Sequence, residues 1–160
     1  MNDVALWDVI ALASQTLIGK GVFARKETQG RQAATVIHAT REAAGSFMVV
    51  FEEDKTKRVL ASVQVDRYVK SASLVSLEKL SGDDRAEVNA FLSACRFLAK
   101  DKRRNKKQEK LSFEATVHRE EKPSKYHWAV FFVRLPAMPG GHFTIREDAR
   151  GKVLDLLPGM

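Results

Sequence analysis

Between Phe47 and Val65, and again between Leu111 and Val117, apolar residues recur at every second position. Only an extended chain turns such a period to one face. Phe47, Val49 and Phe51 share one face of a first segment, and Val59, Ala61, Val63 and Val65 share one face of the next. Asp54-Lys-Thr-Lys57 between them makes a turn, so the two segments read as a hairpin. The alternate residues Arg58, Ser62, Gln64 and Asp66 are polar, which places water on the other face. A further strand falls within Ala72–Lys79.

The same reading applies to the last third. Leu111, Phe113, Ala115 and Val117 alternate with Ser112, Glu114, Thr116 and His118. Tyr126–Leu135 is apolar on both faces, as a central strand would be. Phe143 and Ile145, a turn at Asp148-Ala-Arg-Gly151, and Val153–Leu157 form a closing hairpin.

Two stretches change the period to that of a helix. In residues 3–18, Leu6, Ile10, Ala13 and Leu17 form a stripe that Trp7 and Ile18 widen. Asn2 or Asp3 is placed to cap its start and Gly19 its end. The stripe Val88, Phe91, Leu92, Cys95 and Leu98 predicts a second helix over Arg85–Lys100, with Asp84 and Glu87 spaced as a capping box. Val22–Gly30 reads as a connection. Residues 31–44 are ambiguous. Their alanines and Gly45 favour a helix, and Thr35-Val-Ile37 favours a strand. The balance tips slightly to helix.

The chain therefore runs helix, ambiguous segment, three strands, helix, four strands, and both halves go from helix to meander. The expected class is α+β: about six or seven antiparallel strands packed against two or three helices. The 160 residues fit one domain spanning 1–160. No apolar run approaches the roughly 20 residues of a membrane helix. The start, Met1-Asn-Asp with Asp8 inside the first apolar stretch, lacks the basic opening of a signal peptide. Cys95 is the single cysteine, which fits a reducing compartment and a cytoplasmic protein.

The charge is concentrated. Seven of the eleven residues from Lys100 to Lys110 are basic: Lys100, Lys102, Arg103, Arg104, Lys106, Lys107 and Lys110. Against Asp101 and Glu109 they carry net +5 of the formal +7, so the other 149 residues are near neutral. These seven are the candidate contacts to an acidic partner, with phosphate as the obvious polyanion. The bland alternative is a solvated, self-repelling and mobile loop. No aromatic between Phe97 and Phe113 could stack on bases, which argues against sequence-specific reading.

Other chemistry finds little footing. His38, His118, His127 and His142 are far apart and form no short metal-ligand pair. Cys95 falls on the apolar stripe of its helix, as an inert buried thiol would. Glu52-Glu-Asp54 ends a strand at a turn, the ordinary place for charges. Gly19-Lys-Gly21 lacks the rest of a phosphate-binding loop. Pro139-Gly-Gly141 lies between strands and serves a turn. No constellation carries a reaction, so no catalytic residue, cofactor or metal is expected.

In the C-terminal third, Trp128-Ala-Val130, Pro139-Gly-Gly-His-Phe-Thr-Ile145, Gly151-Lys-Val-Leu154 and Pro158-Gly159 resemble the closing strands of cone-shaped nuclear-transport-factor-like and cystatin-like domains, including some bacterial immunity proteins. The resemblance implies a curved sheet wrapped on a helix and a binding role. The three strands before the second helix depart from the usual order of those domains. The leading expectation is a small non-catalytic protein that engages an acidic macromolecule, nucleic acid or protein, through the basic loop. The alternative is an immunity-type or inhibitor protein that occludes a protein partner with its sheet face.

Overall fold

A computed structural model describes residues 5–27, 29–68, 70–101, 109–122, 124–136 and 141–159. Two helices, α1 (Leu6–Gln15) and α2 (Arg85–Ala99), accompany eight strands. These are β1 (Thr35–Ala43), β2 (Ser46–Glu53), β3 (Val59–Asp66), β4 (Ser71–Leu77), β5 (Lys110–Arg119), β6 (Trp128–Arg134), β7 (His142–Glu147) and β8 (Val153–Pro158). All eight strands join one sheet in the order β4-β3-β2-β1-β5-β6-β7-β8, and every pairing is antiparallel. The α+β class is as expected. The strand count exceeds six or seven because β1 lies in the ambiguous segment, where the balance had tipped to helix.

Position in the sheet explains that outcome. β1 is central and pairs with both β2 and β5. Thr35, Ile37 and Ala39 are buried on the helix side. Hydrogen bonds on both edges and burial of β-branched side chains outweigh the helix propensity of its alanines. The strand order is symmetric about the β1–β5 seam. Each half is a helix followed by a four-strand meander; the sequence order had suggested helix then meander in both halves, with three strands in the first. α1 packs on the β1–β4 half, α2 packs on β5, β6 and β8, and the helices pack on each other.

The core between helices and sheet is aromatic. Phe91 of α2 sits at its centre with no exposed surface. Its ring centroid lies 4.9 Å from that of Phe23, 6.0 Å from Phe132 and 6.5 Å from Phe113. Trp7 of α1 meets Phe113 at 4.8 Å. Offset and tilted contacts of this kind add stability beyond buried area.

Three local expectations are corrected. Asp84 precedes α2, but its side chain does not cap that helix. Fully buried, it accepts the Gly19 N–H at 2.9 Å and the Phe23 N–H at 3.0 Å. Free backbone donors in the loop after α1 take the carboxylate that a capping box would have used. Val59 is 45% exposed and Leu60 is buried instead. The β2–β3 register shifts here, Phe51 opposing Ala61 and Glu52 opposing Val59. The extra residue lets Leu60 and Ala61 both enter the core. Finally, α1 starts at Leu6 behind Ala5, which supplies no side-chain cap; Asn2 and Asp3, expected to cap it, lie outside the described residues.

The other sheet face carries no helix among the described residues. Val36 and Ala129 are nonetheless buried there. Val36 lies between Glu52 and Glu114, and Ala129 between His118 and Arg146. The stems of these longer side chains cover them.

Candidate functional site

The basic run divides at the limit of the described residues. Lys102, Arg103, Arg104, Lys106 and Lys107 lie outside them. Lys100 follows the last turn of α2 and Lys110 opens β5, and both are exposed. Next to Lys110, the Arg41 N–H donates to the Glu109 carbonyl at 2.9 Å. Cations at the C-terminus of α2 also complement its dipole.

The four histidines stay apart, and among the described residues no three His, Cys, Asp or Glu side chains gather as metal ligands would. Among the described residues, His38 is the one of the four whose side chain makes hydrogen bonds. Its Nδ1 lies 2.7 Å from Ser112 Oγ and its Nε2 3.2 Å from Glu52 Oε1. The order Ser–His–Glu resembles a catalytic relay, but its setting is a cross-strand ladder on the open sheet face. Backbone N–H groups of paired strands are used between strands, so they offer no oxyanion hole beside Ser112. The chain of contacts ties β2, β1 and β5 together.

A second constellation was not singled out from the sequence. A cleft of about 460 Å³ opens between α2, the β5–β6 connection and the β7–β8 turn. Its charged lining is Arg96 of α2, Arg119 at the end of β5 and Arg150 of the turn, with His127. Asn89 and Ser93 of α2 add neutral donors. The Arg119 guanidinium lies 4.8 Å from the Trp128 ring centroid, a cation–π contact that holds it in place. Among the described residues none of the three arginines is within ion-pair distance of a carboxylate.

Behind the cleft wall sits Glu147. It occupies the inward register of β7 with Phe143 and Ile145 and is fully buried. Neither carboxylate oxygen has a hydrogen-bond partner among the described residues. Burial, and then the charge of Asp148, push its pKa up to about 8. Gly151, with φ +84°, allows the turn to approach α2: a Cβ there would stand 2.9 Å from Ser93 Oγ and 3.8 Å from Glu147 Oε1. Cys95, also fully buried, has its pKa raised by burial and then by the Glu147 charge. A thiol reagent should leave Cys95 unlabelled in the folded protein and label it on unfolding. Rapid labelling of the folded protein would contradict the core placement.

The cleft residues gave little sequence signal because they come from three distant segments. Glu147 did give one, since a carboxylate at every-second-residue spacing from Phe143 and Ile145 belongs to the buried face. Asp148 beside it drew the reading towards a turn.

In comparisons with known proteins, no family model, no curated protein and no solved structure matches the chain. The resemblance of the C-terminal strands to cone-shaped domains therefore gains no support from them. No helix among the described residues is long and apolar enough to cross a membrane.

Proposed function

We propose that the protein is a non-catalytic binding protein of the cytoplasm that engages an acidic macromolecule, with the nucleic-acid backbone as the partner, through the Lys100–Lys110 connection. The observation that carries this reading is the density of charge: net +5 in eleven residues of a chain whose remainder is near neutral. The exposure of Lys100 and Lys110, the two described basic residues of the run, supports it. Contacts would be to phosphates and would position rather than read sequence.

Affinity for duplex DNA should fall as salt rises, with a log–log slope of about −0.9 per phosphate contacted. Exchanging Arg103, Arg104, Lys106 and Lys107 for serine should flatten that slope and leave the melting temperature nearly unchanged, because exposed charges add little stability. Absence of binding to DNA or RNA at low salt removes nucleic acid as the partner and leaves an acidic protein surface, or a solvated basic run that contacts nothing.

One observation favours the alternative, an immunity-type or inhibitor protein that occludes a partner with its sheet. On the open face Phe131 is 42% exposed and Leu157 is 44% exposed. They flank Thr144 in one cross-strand row.

A further inference from the structure

We propose that the cleft between α2 and the β5–β6 and β7–β8 connections is a binding site for a small phosphorylated ligand, with Arg96, Arg119 and Arg150 as its phosphate contacts. This site is separate from the basic connection. β5 runs from Lys110 at the basic end to Arg119 at the cleft, ten residues along the strand.

The symmetric halves of the sheet supply the first argument. In the first half, Arg67 of the β3–β4 turn lies 3.8 Å from Asp8 of α1. In the second half, Arg150 occupies the matching β7–β8 turn, and α2 offers it Asn89, Ser93 and Arg96 in place of an acid. An internal ion pair neutralises the first position, and the second is left cationic. Asp8 also borders Arg96, in a smaller neighbouring cleft, but at no ion-pair distance from it. Asp148, next to Arg150 in sequence, turns its Oδ1 back to the Arg150 and Lys152 N–H groups, each at 2.9 Å. That oxygen is committed to its own turn, and the Asp148 carboxyl, held below its usual pKa range by the backbone N–H of Lys152 and also by the nearby Lys152 and Arg150 charges, offsets only part of the positive charge there.

The second argument is the buried carboxyl behind the wall. Among the described residues the Glu147 oxygens lack hydrogen-bond partners, and Oε1 would lie 3.8 Å from a Cβ at Gly151, which lines the cleft. Held neutral by burial, Glu147 adds no repulsion to an anion at neutral pH. A buried polar group without a partner is unusual, and this one is enclosed behind the wall that carries Ser93 and Gly151.

Charge and shape select the ligand class. Guanidinium groups present fixed donor forks that match phosphate and carboxylate oxygens. One carboxylate, with a single negative charge, would leave two of three arginines unbalanced. A phosphomonoester dianion, with two charges and three terminal oxygens, matches such a set of donors better. The 460 Å³ volume suits a ligand of nucleotide size, and the Trp128 ring beneath Arg119 bounds it on one side.

The test uses the full chain and isothermal titration with adenosine 5′-monophosphate, inorganic phosphate and adenosine. Saturable binding of the monophosphate, competed by phosphate and absent for adenosine, is expected. Binding of inorganic phosphate as tight as the monophosphate would assign the site to free phosphate alone and overturn the larger ligand. Arg119→Gln and Arg150→Gln should each weaken binding about tenfold or more, as loss of a charge-assisted hydrogen bond does. Arg150 is in an exposed turn, so its variant keeps the fold, which a melt checks. The serine exchange of Arg103, Arg104, Lys106 and Lys107 should leave this binding unchanged. No saturable binding, or binding lost in the serine variant and kept in both glutamine variants, overturns the proposal.

Discussion

Replacing Phe91 with alanine should lower the unfolding free energy by about 3–5 kcal/mol, the range for removing a large buried aromatic side chain. The ring is fully buried, and it contacts aromatics of β5 and β6 and of the loop after α1. No neighbour can collapse into the space without leaving its own stack. Urea denaturation measures the change. A loss under about 1 kcal/mol would mean that α2 does not dock on the sheet through this face.

Glu147 should make stability depend on pH. Its folded pKa, about 8, lies above the ordinary 4.5. The stability it contributes is complete below the unfolded value and is lost as pH rises through the folded one. Across that window the folded state should weaken by up to about 1.4 kcal/mol per pH unit from this group. Glu147→Gln holds a neutral side chain of the same shape. Its stability relative to the natural chain should therefore rise steadily from pH 4.5 to pH 8. Any constant cost of the buried amide cancels in the comparison between pH values. Parallel stability curves for the two proteins would contradict a buried, unpartnered carboxyl.

What the sequence revealed follows from the range over which each signal acts. The α2 stripe and the hairpins of β2–β3 and β7–β8 were legible because a few neighbouring residues set their period. β1 was not, because its strand state depends on β2 and β5, up to 80 positions away along the chain in the Thr35–Ala115 pair. Asp84 shows the same difficulty. Its spacing from Glu87 reads as a local cap, and its carboxylate is taken by Gly19 and Phe23, 65 and 61 residues back. The Val59–Leu60 exchange arises from one inserted residue, which period counting treats as a break in alternation. The basic run was plain as composition. The arginine cleft was not, since Arg96, Arg119 and Arg150 meet only through folding.

The central claim is that the Lys100–Lys110 connection is the surface that meets a polyanion. The most direct measurement is backbone amide NMR of the full chain titrated with a short DNA duplex at low salt. Shifts should concentrate in residues 100–110 and in Arg41, whose N–H bonds the Glu109 carbonyl, and they should reverse as salt is added. Shifts centred instead on Phe131, Thr144 and Leu157 of the open sheet face, or no shifts at all, would contradict the claim.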